Sequence, residues 1–257
     1  AAVTAGMGRL LTAASIMGVM LKGEYDNITL RFNGDGPAGS IIAVADSSGN
    51  GRISVQNPIV ELPLNDKGKL DVSGALGKTG YLYVIKDIGL KEPFIGTTEI
   101  VSGEVAEDIT NYYAVSEQTP SVCSLGVLIN PDLSVNCAGG FLIQLLPGCP
   151  DEIIDVIEKN IAGIPPVTTM LTDGLTPDDM AKKALSGLKI EKLDESEFTY
   201  KCACSRQKAE AAMLSAGRAE LEDMVKENKP FTVECHFCNN NYEFTTEQIK
   251  TLLKKLK

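Results

Sequence analysis

Histidine is almost missing from this chain: His236 is the only one in 257 residues. A Ser/His/Asp or Cys/His catalytic centre would have to be built around it. Yet it sits between Cys235 and Cys238 in the stretch CHFC, so general acid–base catalysis loses its commonest agent, and no enzymatic activity is expected. Basic residues are also scarce, 24 Lys and Arg against 34 Asp and Glu, for a net charge of −10. Neutralising phosphates takes clustered cations beyond what acids cancel, which argues against nucleic acid as a partner. No stretch approaches the roughly twenty consecutive apolar residues that span a bilayer, so no membrane partner is expected. The most apolar run, LLTAASIMGVML at 10–21, lacks the charged leader and small-residue cleavage pattern of a secretory signal. It carries small residues at helical spacing and reads as a packed helix.

Phosphate-binding loops are present only in outline. GDGPAG at 34–39 matches G-x-G-x-x-G, but Pro37 and the β-rich SIIAVAD follow where a helix is required, so it reads as a hairpin turn. GKT at 77–79 lacks the glycine a phosphate loop needs five residues before Gly77, because position 72 is Val.

What the chain does have is strand grammar, then helix grammar, then cysteine. With 44% hydrophobic residues it can bury a substantial core. From 27 to about 147, NITLRF, SIIAVAD, GRISVQ, YLYVIKD and TTEIVSG have strand-like lengths and are divided by turn chemistry. VAEDITNYYAVSEQ at 105–118 has helical spacing, with acids in its first turn. SVCSLGVLI and LSVNCAGGFLIQLL, joined by NPD, read as a hairpin. From about 150 the period changes: PDEIIDVIEKNIAGI repeats Ile153, Ile154, Ile157 and Ile161, and TPDDMAKKALSGL offers Thr176 as N-cap and Pro177 at the first helical position. Residues 151–197 hold eleven acids against five bases. They read as a solvated helical connector, or as a marginal one stable only while something docks against it. The expected architecture is α+β: a sheet-rich N-terminal core domain at 1–149, a helical linker at 150–197 and a small C-terminal α+β module at 198–257.

That module has few large apolar side chains, and a domain of about sixty residues usually needs a metal or disulfides as well. It contains Cys202 and Cys204 in YKCACSRQ and Cys235 and Cys238 in VECHFCNN. A C-x-x-C knuckle with a second thiol pair supplies the four thiolates of a tetrahedral zinc site, with His236 a neighbour of the ligands. C-x-C followed by a long gap and C-x-x-C is less common than two C-x-x-C pairs. A permanent structural zinc and a redox switch both remain open on spacing alone. Zinc-bound thiolates are nucleophiles toward peroxide or hypochlorite, and Lys201, Arg206 and Lys208 would favour thiolate character. The other cysteines, Cys123, Cys137 and Cys149, lie among apolar neighbours and read as small buried hydrophobes. An odd total of seven suits a reducing cytosol better than a secreted disulfide framework. Thr245 and Gln248 form a capping box ahead of EQIKTLLKKLK. A thiol-disulfide oxidoreductase using CHFC is a weaker alternative, because FTVECHFCNNNYEF reads as strand, knuckle, strand instead of opening a helix.

The four-cysteine signature, with AGRAELEDMVKENK between its halves and CHFCNNNYEFT downstream, resembles the 33-kDa heat-shock protein family of redox-regulated holdase chaperones. The likeness extends through GKLDVSGALGKTGYLYVIKDIGLKEPFIG, EIVSGEVAEDITNYYAVSEQTPS, LGVLINPD and AGGFLIQLLPG. The resemblance implies a cytoplasmic, ATP-independent chaperone whose reduced form holds one zinc on Cys202, Cys204, Cys235 and Cys238 and is inactive. It implies disulfides Cys202–Cys204 and Cys235–Cys238 on oxidation, zinc release, unfolding of the module and linker, capture of unfolding client proteins and a tendency to form a homodimer. The competing class is a protein-binding scaffold with a permanent four-cysteine zinc. The family has a further strand and helix before AAVTAGMGRLLTAA, so a truncated start is expected at Ala1.

Overall fold

The computed structural model describes residues 1–256 and divides into two compact units, Ala1–Tyr200 and the remainder from Lys201. The first is organised by one helix on one sheet. Helix α1, Ala2–Val19, follows the small-residue run seen in the sequence. It is long and apolar enough to cross a membrane by length and composition alone, but Leu10, Ala13, Ala14 and Met17 are all buried in the core. Gly18 permits this close approach: a Cβ there would lie 2.9 Å from the Asp46 carbonyl oxygen.

The sheet runs in the order β5-β4-β1-β2-β3-β8, with β1 at Asn27–Gly34, β2 at Ser40–Asp46, β3 at Asn50–Val55, β4 at Gly80–Asp87, β5 at Phe94–Glu99 and β8 at Thr199–Tyr200. Neighbours are antiparallel through β3, and the two-residue β8 lies parallel to β3. Side chains alternate across a strand, and Ile28, Leu30 and Phe32 of β1 are buried while Thr29 and Arg31 are not. Ile41, Ala43 and Ala45 on β2, Ile53 on β3 and Leu82 and Val84 on β4 join the same core.

The segment TTEIVSG departs from a simple strand. Pairing runs from Phe94 and stops at Glu99, because Val101 and Ser102 N–H donate instead to the Asp108 carboxylate at 2.7 and 3.3 Å. Asp108 lies in the first turn of α3, Val105–Val115, and is buried. That burial pushes its carboxyl above the ordinary range.

The two glycine motifs meet each other. GDGPAG is the β1–β2 turn, and its Asp35 accepts from Lys78 N at 2.9 Å and Thr79 N at 3.1 Å, and from the Thr79 hydroxyl. These amides belong to GKT, which follows the short helix α2, Val72–Leu76. A carboxylate of the chain itself takes up the amides of the second motif.

β6, Ser121–Ile129, and β7, Val135–Gln144, form the expected hairpin as a separate two-stranded sheet. The stretch 150–197 contains α4 (Asp151–Gly163), α5 (Val167–Thr172) and α6 (Pro177–Ala184). Its apolar hold is slight. Ile157 is the one buried residue of α4, and Val167, Met170 and Met180 make a small cluster touching Phe141. Thr176 caps α6 through a capping box with Asp179.

The second unit is α7 (Arg206–Ala216), α8 (Arg218–Glu227), the antiparallel pair β9 (Phe231–Glu234) and β10 (Asn241–Phe244), and α9 (Thr246–Lys255). Among its described residues the buried core is six, Ala209, Met213, Leu221, Phe244, Ile249 and Leu252. So small an apolar core leaves a unit of this size marginal.

Candidate metal centre

Two backbone devices aim the four thiols at one point. Cys202 and Cys204 lie in the irregular segment before α7, whose N-cap Ser205 accepts from Lys208 N at 3.2 Å. Cys235 and Cys238 form the tip of the β9–β10 hairpin. Asn239 and Cys238 N–H both donate to the Cys235 carbonyl, at 2.8 and 3.3 Å, and Cys235 N–H donates to Asn240 O at 2.9 Å. Asn239 takes the left-handed conformation that closes this turn, φ 57°, which asparagine tolerates better than most residues.

The four sulfurs lie within 4.8 Å of one another, and each cysteine is half-buried. Across the two pairs, Cys202 lies 3.6 Å from Cys235 and Cys204 lies 3.5 Å from Cys238. A tetrahedral zinc with bonds of about 2.3 Å places its sulfurs about 3.8 Å apart, whereas a disulfide needs about 2.05 Å. The donor set therefore fits a four-thiolate zinc, and all four thiols are free. His236 is exposed and lies outside the cluster, as its place beside the ligands suggested.

The thiols are not equivalent. Tyr242, on β10, donates its hydroxyl to Cys204 Sγ at 3.0 Å, which with the neighbouring thiols lowers Cys204 to about 6. The same bond raises Tyr242 to about 12. Desolvation pushes Cys202 the other way, up to about 12.

Sequence reasoning assigned the electrostatic help to the neighbouring bases and missed Tyr242. Lys208 Nζ donates to Ala203 O at 2.7 Å. Arg206 donates to Gln248 at 3.0 Å and stacks over the Phe244 ring at 4.4 Å. Both serve the local backbone and core. The register Tyr242↔Val233 is the signal that could have found Tyr242, because it puts the ring beside the knuckle. Of the other cysteines, Cys123 packs against the first unit's core, and burial raises its thiol to about 12. Cys137 and Cys149 are half-buried, more open than expected of core hydrophobes.

A sheet-rich α+β unit followed by a small unit closed around four convergent cysteines defines the class of protein. Residues 1–245 match the Hsp33 protein family, and the chain belongs to it. It is similar to the 33 kDa chaperonin of Clostridium botulinum (strain Alaska E43 / Type E3), 46% identical over 250 residues, covering 97% of this chain and 85% of that one. The 33 kDa chaperonin of Acetivibrio thermocellus is 47% identical over 251 residues, covering 98% and 84%. The crystal structure of the 33 kDa chaperonin from Thermotoga maritima, a heat shock protein 33 homolog, matches with a TM-score of 0.90 at 41% identity. That match covers 99% of this chain and 86% of the other. Membership carries a chaperone role, with unfolded client proteins as its partners.

Proposed function

We propose that this chain is a redox-activated, ATP-independent holdase that is inactive while Cys202, Cys204, Cys235 and Cys238 hold zinc. The observation that carries the reading is the convergence of four sulfurs within 4.8 Å in a unit whose buried core is six residues. When bound, zinc supplies charge that keeps the thiols deprotonated and supplies folding free energy on the order of 10 kcal/mol.

Oxidation consumes the donor set. Two thiolates give two electrons to one peroxide, a sulfur–sulfur bond forms, the O–O bond breaks, and two hydroxide ions leave. Two such events on Cys202–Cys204 and Cys235–Cys238 leave no thiolate to coordinate a metal. The unit from Lys201 then lacks the stabilisation its apolar core cannot replace. The helical linker at 150–197, held by Ile157 and the Val167–Met170–Met180 cluster, loosens with it and exposes apolar surface to unfolding proteins. The oxidised chain forms a homodimer and works in the cytoplasm, where the resting state is reduced.

The test is to titrate reduced protein with peroxide under mild heating while following zinc with a chromogenic chelator and client aggregation by light scattering. One zinc released per chain, the two within-pair disulfides by mass mapping and suppressed scattering are the expected results. Zinc loss with aggregation at the control rate would refute the reading. Retained metal without disulfides would instead make the centre a permanent structural site.

A further inference from the structure

We infer that the β3 edge of the core sheet is a docking site for an extended segment of an unfolded client, occluded in the resting chain by its own residues 197–200. This inference rests on the proposed holdase function and names the surface that function would use.

Sheet edges offer unpaired backbone groups that any extended chain can meet, whatever its side chains. Here a piece of the same polypeptide sits on that edge. Thr199 N–H donates to Gly49 O at 2.8 Å, β8 pairs parallel with Asn50 and Gly51, and the Tyr200 hydroxyl donates to Ile53 O at 3.3 Å. Side-chain recognition is added by glycine. A Cβ at Gly51 would stand 2.5 Å from Phe198 Cζ and 3.2 Å from Leu11 Cδ1, so the absent side chain makes the seat for an aromatic ring. Backbone pairing plus one aromatic seat is the chemistry that takes many sequences, provided they are extended and carry an exposed aromatic or large apolar residue.

The hold is built to be weak. A two-residue strand is far below the length that pairs stably by itself, and Phe198 and Tyr200 remain 45% and 50% exposed. One residue, Lys201, separates the strap from Cys202. Its C-terminal end is therefore fixed in the chain by a member of the sulfur cluster. When that anchor loses order, the strap competes for the edge as a loose tether and no longer as a pre-set strand.

The test uses full-length, reduced, zinc-loaded protein carrying Phe198→Ala with Thr199→Pro, which removes the ring and the paired N–H. Zinc content checks that the four-cysteine unit is intact. The probe is reduced carboxymethylated α-lactalbumin, a permanently unfolded chain. Faster hydrogen exchange at Asn50–Ile53 and at least ten-fold tighter probe binding without oxidant are expected. Unchanged exchange, or faster exchange with no gain in binding, overturns the inference. In a second arm, the peptide ESEFTYK (residues 195–201) should displace the probe from oxidised protein, and the same peptide with alanine for Phe198 should not at ten-fold higher concentration. Binding by oxidised protein that the peptide cannot displace refutes the edge as the site and leaves the redox reading standing. Gain of binding in the double variant with no activation by oxidant does the reverse.

Discussion

Tyr242 donates its hydroxyl hydrogen to Cys204 Sγ at 3.0 Å, and the Asn240 side-chain amide approaches the same sulfur at 3.9 Å. Cys204 thus has two side-chain partners, while Cys202 and Cys238 take backbone N–H bonds, from Cys204 and Asn240. Hydrogen bonds to a metal-bound thiolate orient it and take up part of its charge, and losing such a partner typically costs 10–100-fold in metal affinity. Tyr242→Phe keeps the ring and removes the bond. The expected result is zinc affinity lower by about ten-fold and faster metal loss to peroxide, read by chelator competition. Unchanged affinity would mean that Tyr242 only packs.

The sulfur cluster should be the fold of the second unit as much as its ligand set. Cys235→Ser removes one donor of four from a unit with six buried residues. Loss of structural zinc is on the order of 10 kcal/mol, more than such a core can absorb. Reduced C235S protein is expected to lose zinc and the helical signal of α7–α9, while exchange protection of β1, β2 and β4 is retained. Circular dichroism with hydrogen exchange resolves the two. A C235S protein with full helix content would show that the unit folds without metal.

How far these features could be read beforehand depended on their range along the chain. The strands alternating around Ile28, Leu30 and Phe32, the β6–β7 hairpin, and the caps at Thr176 and Thr245 are local patterns, and the structure contains each of them. The sulfur cluster was legible because metal ligation puts a spacing rule on residues that are far apart. Tyr242 carries no such rule, since a tyrosine in a strand is ordinary until the hairpin register sets it beside Cys204. The pairing of Thr199 with Asn50 joins residues about 150 positions apart through two residues, too few to leave a period. The contact of GDG with GKT is of the same kind: each resembled a ligand loop, and only tertiary packing showed Asp35 filling the other's amides.

Thr245 closes a capping box with Gln248 at the start of α9, the helix that supplies Ile249 and Leu252 to the second unit's core. Thr245→Ala removes an acceptor for the Gln248 N–H and should cost about 1 kcal/mol. In a unit this marginal the effect should appear as an earlier thermal loss of zinc, while the melting of the first unit stays put. Equal shifts in both transitions would place the effect elsewhere.

Asp108 provides a pH test confined to the first unit. Its carboxyl is buried, accepts from Val101 and Ser102 N–H, and leaves Oδ2 without a partner. Desolvation is the dominant influence and outweighs those bonds, so the folded state holds the proton more tightly than the unfolded chain. A raised carboxyl contributes stability that is fully present below its unfolded value, near 3.8, and is lost as pH rises through the higher folded value. Asp108→Asn cannot ionise and should not show that loss. The stability difference between parent and variant is therefore expected to move against the parent as pH climbs from about 4, then to level off. Denaturant melts of the zinc-loaded protein across that range measure it. A difference constant with pH would mean that Asp108 binds its proton equally well folded and unfolded, its backbone hydrogen bonds offsetting its burial.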